Sequence, residues 1–382
     1  MSDSLAVKTI ISPGRYVQGR GAIRRLGEFL KPLGETPLLV ADDVVWGFVG
    51  HDVESSLTAA GLPVIRERFG GIPSAAEVDR LVAVIREHNA DVIVAVGGGS
   101  TIDAVKASGY LAGIRWVTVP TVASTDAPTS ALSVIYTENG EFEEYRFFPK
   151  NPDLVLVDTQ VVANAPAAFL AAGVGDALAT WLEARATANA HANTMAGGLP
   201  TLTGTALAQL SWEVLWDNAL PALDAVRDNL VTPAVEKVVE ANTLLSGIGF
   251  ESGGLAAAHA IHNGLTAVPQ THGLAHGEKV NIGSVTQLVL EGAPTDEIRA
   301  FIEFTTRVGL PNTLTEVGLS PEDDAELQII AVAATAPGET IHSMPFEISP
   351  AELVSALKSI ERFARTVRSE AGLASPVPRA HH

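Results

Sequence analysis

The sequence predicts an N-terminal α/β domain on a doubly wound parallel sheet, followed by an all-α helical domain, with a ligand cleft between them. Three observations carry this. Short apolar runs without helical periodicity (PLLVA at 37–41, VIVAV at 92–96, LVLVD at 154–158) read as strands buried on both faces. Up to about residue 160 such runs alternate with amphipathic segments, as parallel strands joined by helical crossovers do. From Pro166 onward β-branched runs become scarce, and alanine-rich helical periodicity continues to the C-terminus. The boundary is expected near Asn164, Ala165 and Pro166, giving domains over 1–164 and 165–382.

Taken in order, residues 8–34 predict a short strand and a helix with Ile23, Leu26, Phe29 and Leu30 on its apolar face. Strand 37–41 ends at Asp42, where a carboxylate faces the ligand crevice of an α/β sheet or caps the following helix. Strand 64–68 precedes an amphipathic helix over 74–89 opened by Ser74, with Val78, Leu81, Val82 and Ile85 as its stripe. Strand 92–96 runs into Gly97, Gly98 and Gly99, then Ser100 and a helix with Asp103 in its first turn. A strand over 116–119 follows, then a hairpin (131–136 with 144–148) turned by Glu138, Asn139 and Gly140, and strand 154–158. The tail after Gly372 is expected to be frayed and its two histidines idle.

Composition narrows the function. A chain of 382 residues exceeds the usual single-domain size. Its formal net charge of −19 argues against nucleic acid and anionic membranes as partners. With no cysteine, a metal must be held by histidines and carboxylates. The N-terminus shows no basic region followed by an apolar core, so the cytoplasm is the expected compartment. Two stretches without charge, 186–212 and 252–277, are broken by Gly, Pro, Asn and His, and read as buried helices rather than membrane spans.

Two constellations carry chemistry. A buried strand, a turn stripped of Cβ atoms and a helix N-terminus form an anion cradle of bare N–H groups and helix dipole. With Ser124, Thr125 and Asp126 ending the next strand beside it, this reads as the pyrophosphate site of a dinucleotide. Asp42 could there accept hydrogen bonds from both adenosine ribose hydroxyls and repel a 2′-phosphate. The second constellation is histidine-rich. His259, His262, His272 and His276 fall in the uncharged stretch, and Asp176 stands isolated in an apolar helix. A divalent cation would compensate the desolvation of such groups, and one Asp with two His leaves coordination positions open, as catalytic sites do. Spacing alone does not choose which two histidines bind.

GGGSTIDAVK, VPTVASTDAPTSALSVIY, PKNPDLVLVDT, GVGDALATWLEA, GFESGGLAAAHAIHNG and HGEKV together resemble the glycerol dehydrogenases, a zinc-using branch of the iron-containing alcohol dehydrogenase superfamily. The likeness runs from about residue 8 to 365. It implies NAD-dependent oxidation of glycerol, or a similar small polyol, to dihydroxyacetone through a metal-stabilised alkoxide and hydride transfer to NAD. By motif position it puts Asp176, His259 and His276 at the metal, with Zn(2+) expected and another divalent ion compatible with the same donors. It puts Asp42 at the ribose, Gly97, Gly98, Gly99 and Ser100 at the pyrophosphate, and Thr121, Ser130, Val134 and Tyr136 along the nicotinamide half. Asp103 and Ser124 lie within the same cofactor-binding motifs. Asp126 takes the place that receives a substrate hydroxyl. Iron-type relatives carry a histidine four residues after the aspartate, where this chain has Thr180. The resemblance also implies a homo-oligomer, dimers assembling further to an octamer.

No general base stands out; His272, Asp126 or water through a relay could take the proton. Gly253, Gly254, Ala256, Ala257 and Ala258 imply a small pocket suited to a three- or four-carbon diol. Two readings on the same fold, a lyase resembling 3-dehydroquinate synthase and a glycerol-1-phosphate dehydrogenase, call for clustered Lys and Arg around the metal, and residues 253–277 hold none. A non-catalytic NAD-binding protein would have the ligand triad broken, and all three positions are filled.

Overall fold

A computed structural model describes residues 7–140 and 142–379. Its elements, in chain order, begin with β1 (Tyr16–Gly19), α1 (Leu26–Leu30), β2 (Pro37–Ala41), α2 (Asp43–Ala59), β3 (Ile65–Arg68), α3 (Ala75–His88), β4 (Val92–Gly97), α4 (Gly99–Ala112) and β5 (Arg115–Pro120). The hairpin β6 (Leu132–Tyr136) and β7 (Phe142–Phe147) precedes β8 (Leu154–Asp158). Helices follow: α5 (Thr159–Asn164), α6 (Ala167–Ala190), α7 (Leu202–Arg227), α8 (Pro233–Glu240), α9 (Ser246–Gly253), α10 (Ala257–Leu265), α11 (His276–Leu290), α12 (Thr295–Val308), α13 (Asp324–Ala334) and α14 (Pro350–Glu370). Among the described residues no strand follows β8, so the change of pattern expected after residue 160 is present.

The chain forms two compact units. Among the described residues, one holds 11–170 and 221–247; the other holds 7–10, 171–220 and 248–379. The single boundary expected at 164/165 thus differs from the observed division. The stretch 221–247 rejoins the first unit because its side chains are tied there. Gln18 Nε2 donates to the Glu236 carbonyl and carboxylate, both at 2.8 Å, and Thr159 Oγ1 donates to Glu236 at 2.7 Å.

The first unit is built on a six-stranded sheet in the order β1-β8-β5-β4-β2-β3, parallel throughout. Strand alternation sorts its side chains. Leu39 and Ala41 join Val49, Val53 and Leu57 of α2 in one core, while Leu38 and Val40 join residues of α3 and α4 in the other. With α2 on one face and α3 and α4 on the opposite one, the winding reverses between the neighbours β2 and β4. In open α/β sheets ligands bind outside the carboxyl ends of the strands at such a switch point. Asp42 follows β2 there, and the glycine turn follows β4.

In the second unit helices pack on helices. α6 has the length and apolarity of a membrane span, yet 78% of that window is buried within the fold, and it carries Asp176 and Glu183. The tail after Gly372 is anchored rather than frayed as far as it is described. The Arg379 guanidinium pairs with Glu278 and donates to the Gly309 carbonyl at 2.6 Å, and the Arg379 N–H reaches the Glu316 carbonyl. His381 and His382 lie outside the described residues.

Candidate active site

The glycine turn is open where a ligand would need it. Gly98 caps α4 with φ −86° and ψ −172°, a conformation other residues adopt, and no side chain caps this N-terminus. A Cβ on Gly98 would come no nearer than 3.6 Å to Val122, and one on Gly99 no nearer than 3.6 Å to Thr125. Neither backbone angle nor protein packing requires glycine at 98 and 99. What their bareness provides is close access to the helix N–H groups, the requirement of a bound phosphate. Gly97 differs, since its Cβ would press on the Thr101 side chain at 2.7 Å.

Around this turn, Thr121 donates its N–H to the Gly97 carbonyl at 3.1 Å, Ser124 is half-buried and Ser100 is exposed. Val134 and Tyr136 share one half-buried face of β6, opposite the buried Ser133 and Ile135. Burial and the nearby Asp103 charge push the Tyr136 hydroxyl up to about 12. Asp42 caps α2, its Oδ1 accepting from the Val45 N–H at 2.8 Å.

Asp103 and Ser130 have structural partners. Both meet Lys106, which is wholly buried: its ammonium lies 3.1 Å from Asp103 and donates to the Ala127 carbonyl at 2.8 Å and Ser130 Oγ at 3.2 Å. Sequence reading passed over Lys106. It also passed over the residues that return from 221–247 to hold the loop 123–129. Asn242 donates to the Ala123 carbonyl at 3.0 Å, Ser246 Oγ to Asp126 Oδ2 at 2.7 Å, and Thr129 Oγ1 to the Thr243 carbonyl at 2.5 Å. A single π-helical turn, Ala241–Leu245, presents Asn242 and Thr243, and Ser246 follows it directly. No spacing rule links these residues to a loop more than 110 positions earlier.

In the second unit Asp176, His259 and His276 converge, each offering a ligand atom within 4.8 Å of the others. Asp176 Oδ1 lies 3.1 Å from His276 Nε2 and 3.4 Å from His259 Nε2. Backbone contact makes this possible. A Cβ on Gly277 would sit 1.7 Å from the Ala172 carbonyl oxygen, and one on Gly175 2.5 Å from that of Gly277. Two glycines thus let α6 and the start of α11 touch, and Asp176 and His276 are their chain neighbours. Burial alone would raise the Asp176 carboxyl, but His276 and His259 outweigh it and hold the group well below the carboxylate range. For His259, burial is outweighed by Glu183 and Asp176, and the imidazole is raised well above its ordinary 6.5. A buried carboxylate between two imidazole nitrogens, one of them on a half-buried ring, is a donor set that fits a divalent cation.

The two remaining histidines separate. His262 is buried with its ring 4.2 Å from that of His276, and its Nδ1 hydrogen-bonds Asn263 at 3.1 Å. Burial, then the His276 charge, holds it well below its ordinary value. His272 is exposed, with Nε2 donating to the Thr266 carbonyl at 3.0 Å, and is not one of the three clustered donors. Thr180 is fully buried, and its methyl group lies where a Cβ on Gly249 would be only 2.8 Å away. That packing leaves no room for an imidazole, so α6 brings a single candidate donor, Asp176, to the cluster.

Known proteins resemble this chain over nearly its whole length. The model of the iron-containing alcohol dehydrogenase family matches residues 13–159. A glycerol dehydrogenase of Escherichia coli is 50% identical over 363 residues, 95% of this chain and 99% of that one. A glycolaldehyde reductase of Halobacterium salinarum is 49% identical over 357 residues, 94% of this chain and 98% of that one. The crystal structure of glycerol dehydrogenase from Schizosaccharomyces pombe matches with a TM-score of 0.95 at 37% identity, covering 99% of this chain and 97% of that one. The chain belongs to the iron-containing alcohol dehydrogenase family. Its likeness is to the glycerol dehydrogenases of that family, as the motifs implied, and like them it is an oxidoreductase of CH–OH groups.

Proposed function

We propose that the protein oxidises glycerol, or a similar small vicinal diol, to the hydroxyketone with NAD, using a zinc ion held by Asp176, His259 and His276. The observation that carries this is the convergence of those three ligand atoms in a chain half identical to a glycerol dehydrogenase. When bound, the metal supplies Lewis acidity toward a polyol hydroxyl and NAD supplies the hydride acceptor. The chain's own residues do the rest. The open N-terminus of α4, with Gly97, Gly98, Gly99 and Ser100, holds the pyrophosphate. Asp42, fixed by its cap, accepts from the ribose hydroxyls. Thr121, Ser124, Val134 and Tyr136 line the nicotinamide half, with Lys106 keeping Asp103 and Ser130 in place behind them. Asp126, steadied by Ser246, receives a substrate hydroxyl. His272, exposed and engaged with Thr266, has no part in this reading.

The phosphate-requiring alternatives call for a cluster of cations at the metal, and a single lysine beside the histidines falls short of one. Lys279, whose charge is felt at His262, is pushed down to about 8 by burial. Family likeness supports a cytoplasmic homo-oligomer built from dimers, up to an octamer. The test is NADH formation from glycerol after chelation and after zinc is restored, beside NADH oxidation with glycolaldehyde. Activity with glycerol that vanishes and returns with zinc is the expected result. Turnover of glycolaldehyde alone would move the assignment to the second relative's substrate, and silence with both, NAD still binding, would overturn it.

A further inference from the structure

We infer that Glu183 is the positioning residue of the metal site, because it fixes which nitrogen of His259 carries the proton. The inference rests on the proposed metal site and on four backbone N–H groups. Helix α10 opens at Ala256, whose side chain cannot cap it. Helix N-termini leave such groups without intrahelical partners, and here two side chains from neighbouring helices take all four. Gln287 Oε1 accepts from Ala257 at 3.1 Å and Ala258 at 3.0 Å. Glu183 Oε1 accepts from Ala256 and His259, each at 2.9 Å.

Gln287 shows that a neutral amide oxygen suffices for this capping. Its own orientation is set, since Nε2 donates to the Leu182 carbonyl at 3.0 Å and to Glu291 at 2.9 Å. The charge on Glu183 therefore has another purpose, and its second oxygen shows it: Oε2 lies 2.6 Å from His259 Nδ1. A carboxylate only accepts, so the proton belongs to Nδ1. Nε2, turned toward Asp176, is then the nitrogen whose lone pair faces the metal position. Glu183 is fully buried, and among the described residues no Lys or Arg pairs with it. Its charge is matched by the site itself. Both roles come from one carboxylate, which ties the start of α10 and the tautomer of its third residue to α6, the helix that carries Asp176.

Glu183→Gln separates the roles. The amide oxygen can keep the cap, as Gln287 does, while the amide nitrogen donates to Nδ1 and drives the proton onto Nε2. The probe is Co²⁺ added to chelator-stripped protein, read by its visible absorption and by titration, with no substrate present. Glu183→Gln should weaken Co²⁺ binding by about 10–100-fold, and it should lower the melting temperature of stripped protein only by the loss of the Glu183–His259 ion pair. Gln287→Ala should lower that melting temperature and leave Co²⁺ affinity unchanged. Equal Co²⁺ binding by Glu183→Gln and wild type would overturn the proposal, as would an equal loss in Gln287→Ala. If Glu183→Gln does not fold, Glu183→Asp, which withdraws the carboxylate by one methylene, must show the same loss of affinity. A wild type that binds no Co²⁺ would remove the metal site itself, a result distinct from failure of the Glu183 assignment.

Discussion

The glycine turn and the histidine cluster present their candidate binding groups by opposite means. At the turn the working groups are backbone N–H donors, exposed because side chains are missing at 98 and 99. In the cluster they are three side chains from 176, 259 and 276, brought together because two glycines let helix backbones touch. The first is local, one strand, one turn and one helix long. The second exists only when α6, α10 and α11 are packed. A glycine substitution should therefore disable each site by a different route, one through the ligand and the other through the fold.

The largest effect is expected at a metal ligand. His259→Ala should leave protein that retains no metal after dialysis and forms no NADH; stoichiometric metal with full turnover would break the assignment. Next comes Gly277→Ala, whose methyl group would overlap the Ala172 carbonyl. Overpacking of this kind destabilises by about 1–3 kcal/mol, so calorimetry should show a lower melting temperature together with weaker metal binding. Gly98→Ala is the contrasting case. The added methyl meets nothing nearer than 3.6 Å, so stability should hold within about 0.5 kcal/mol. NAD affinity, measured by fluorescence quenching, should fall about tenfold, or 1.4 kcal/mol. Matching losses of stability in the two glycine variants would erase the contrast.

The cluster should also respond to pH in a way the turn does not. His259 is raised in the metal-free protein, so its contribution to stability is complete below its ordinary 6.5 and is lost as pH rises through the folded value. Asp176 is depressed, so its contribution is complete above 3.8 and is lost only as pH falls through its lower folded value. Stripped protein should melt at progressively lower temperature as pH climbs above 6.5, while metal-loaded protein should not. Metal affinity should rise by about tenfold per pH unit over the same range, since one proton is displaced. Asp42→Ser gives the smallest effect. Serine keeps the cap, so stability should change by less than about 0.5 kcal/mol, while the ratio of NADP to NAD turnover should increase. An unchanged ratio would leave Asp42 as a cap alone.

Periodicity made the sheet legible. PLLVA and LVLVD are the observed β2 and β8, and Ser74 does cap α3 through Glu77. The triad was legible only by resemblance, because the partners of Asp176 lie 83 and 100 positions away, beyond any local pattern. The holders of the site were not legible at all. Lys106, Ser246 and Glu183 each act across 20 to 120 residues of chain, and a buried Lys, Ser or Glu has no distinguishing mark until its partner is known. His272 stood in the right composition but faces solvent, which only the turn after α10 decides.

The return of residues 221–247 to the sheet unit limits how such a chain can be recombined. A chimera joined at 170, taking everything beyond it from a relative, would inherit a foreign Asn242, Thr243 and Ser246 to hold its own 123–129 loop. Exchange between members of this family should therefore succeed as two linked cassettes, the first segment travelling with the short helical insert, rather than as a single cut and splice.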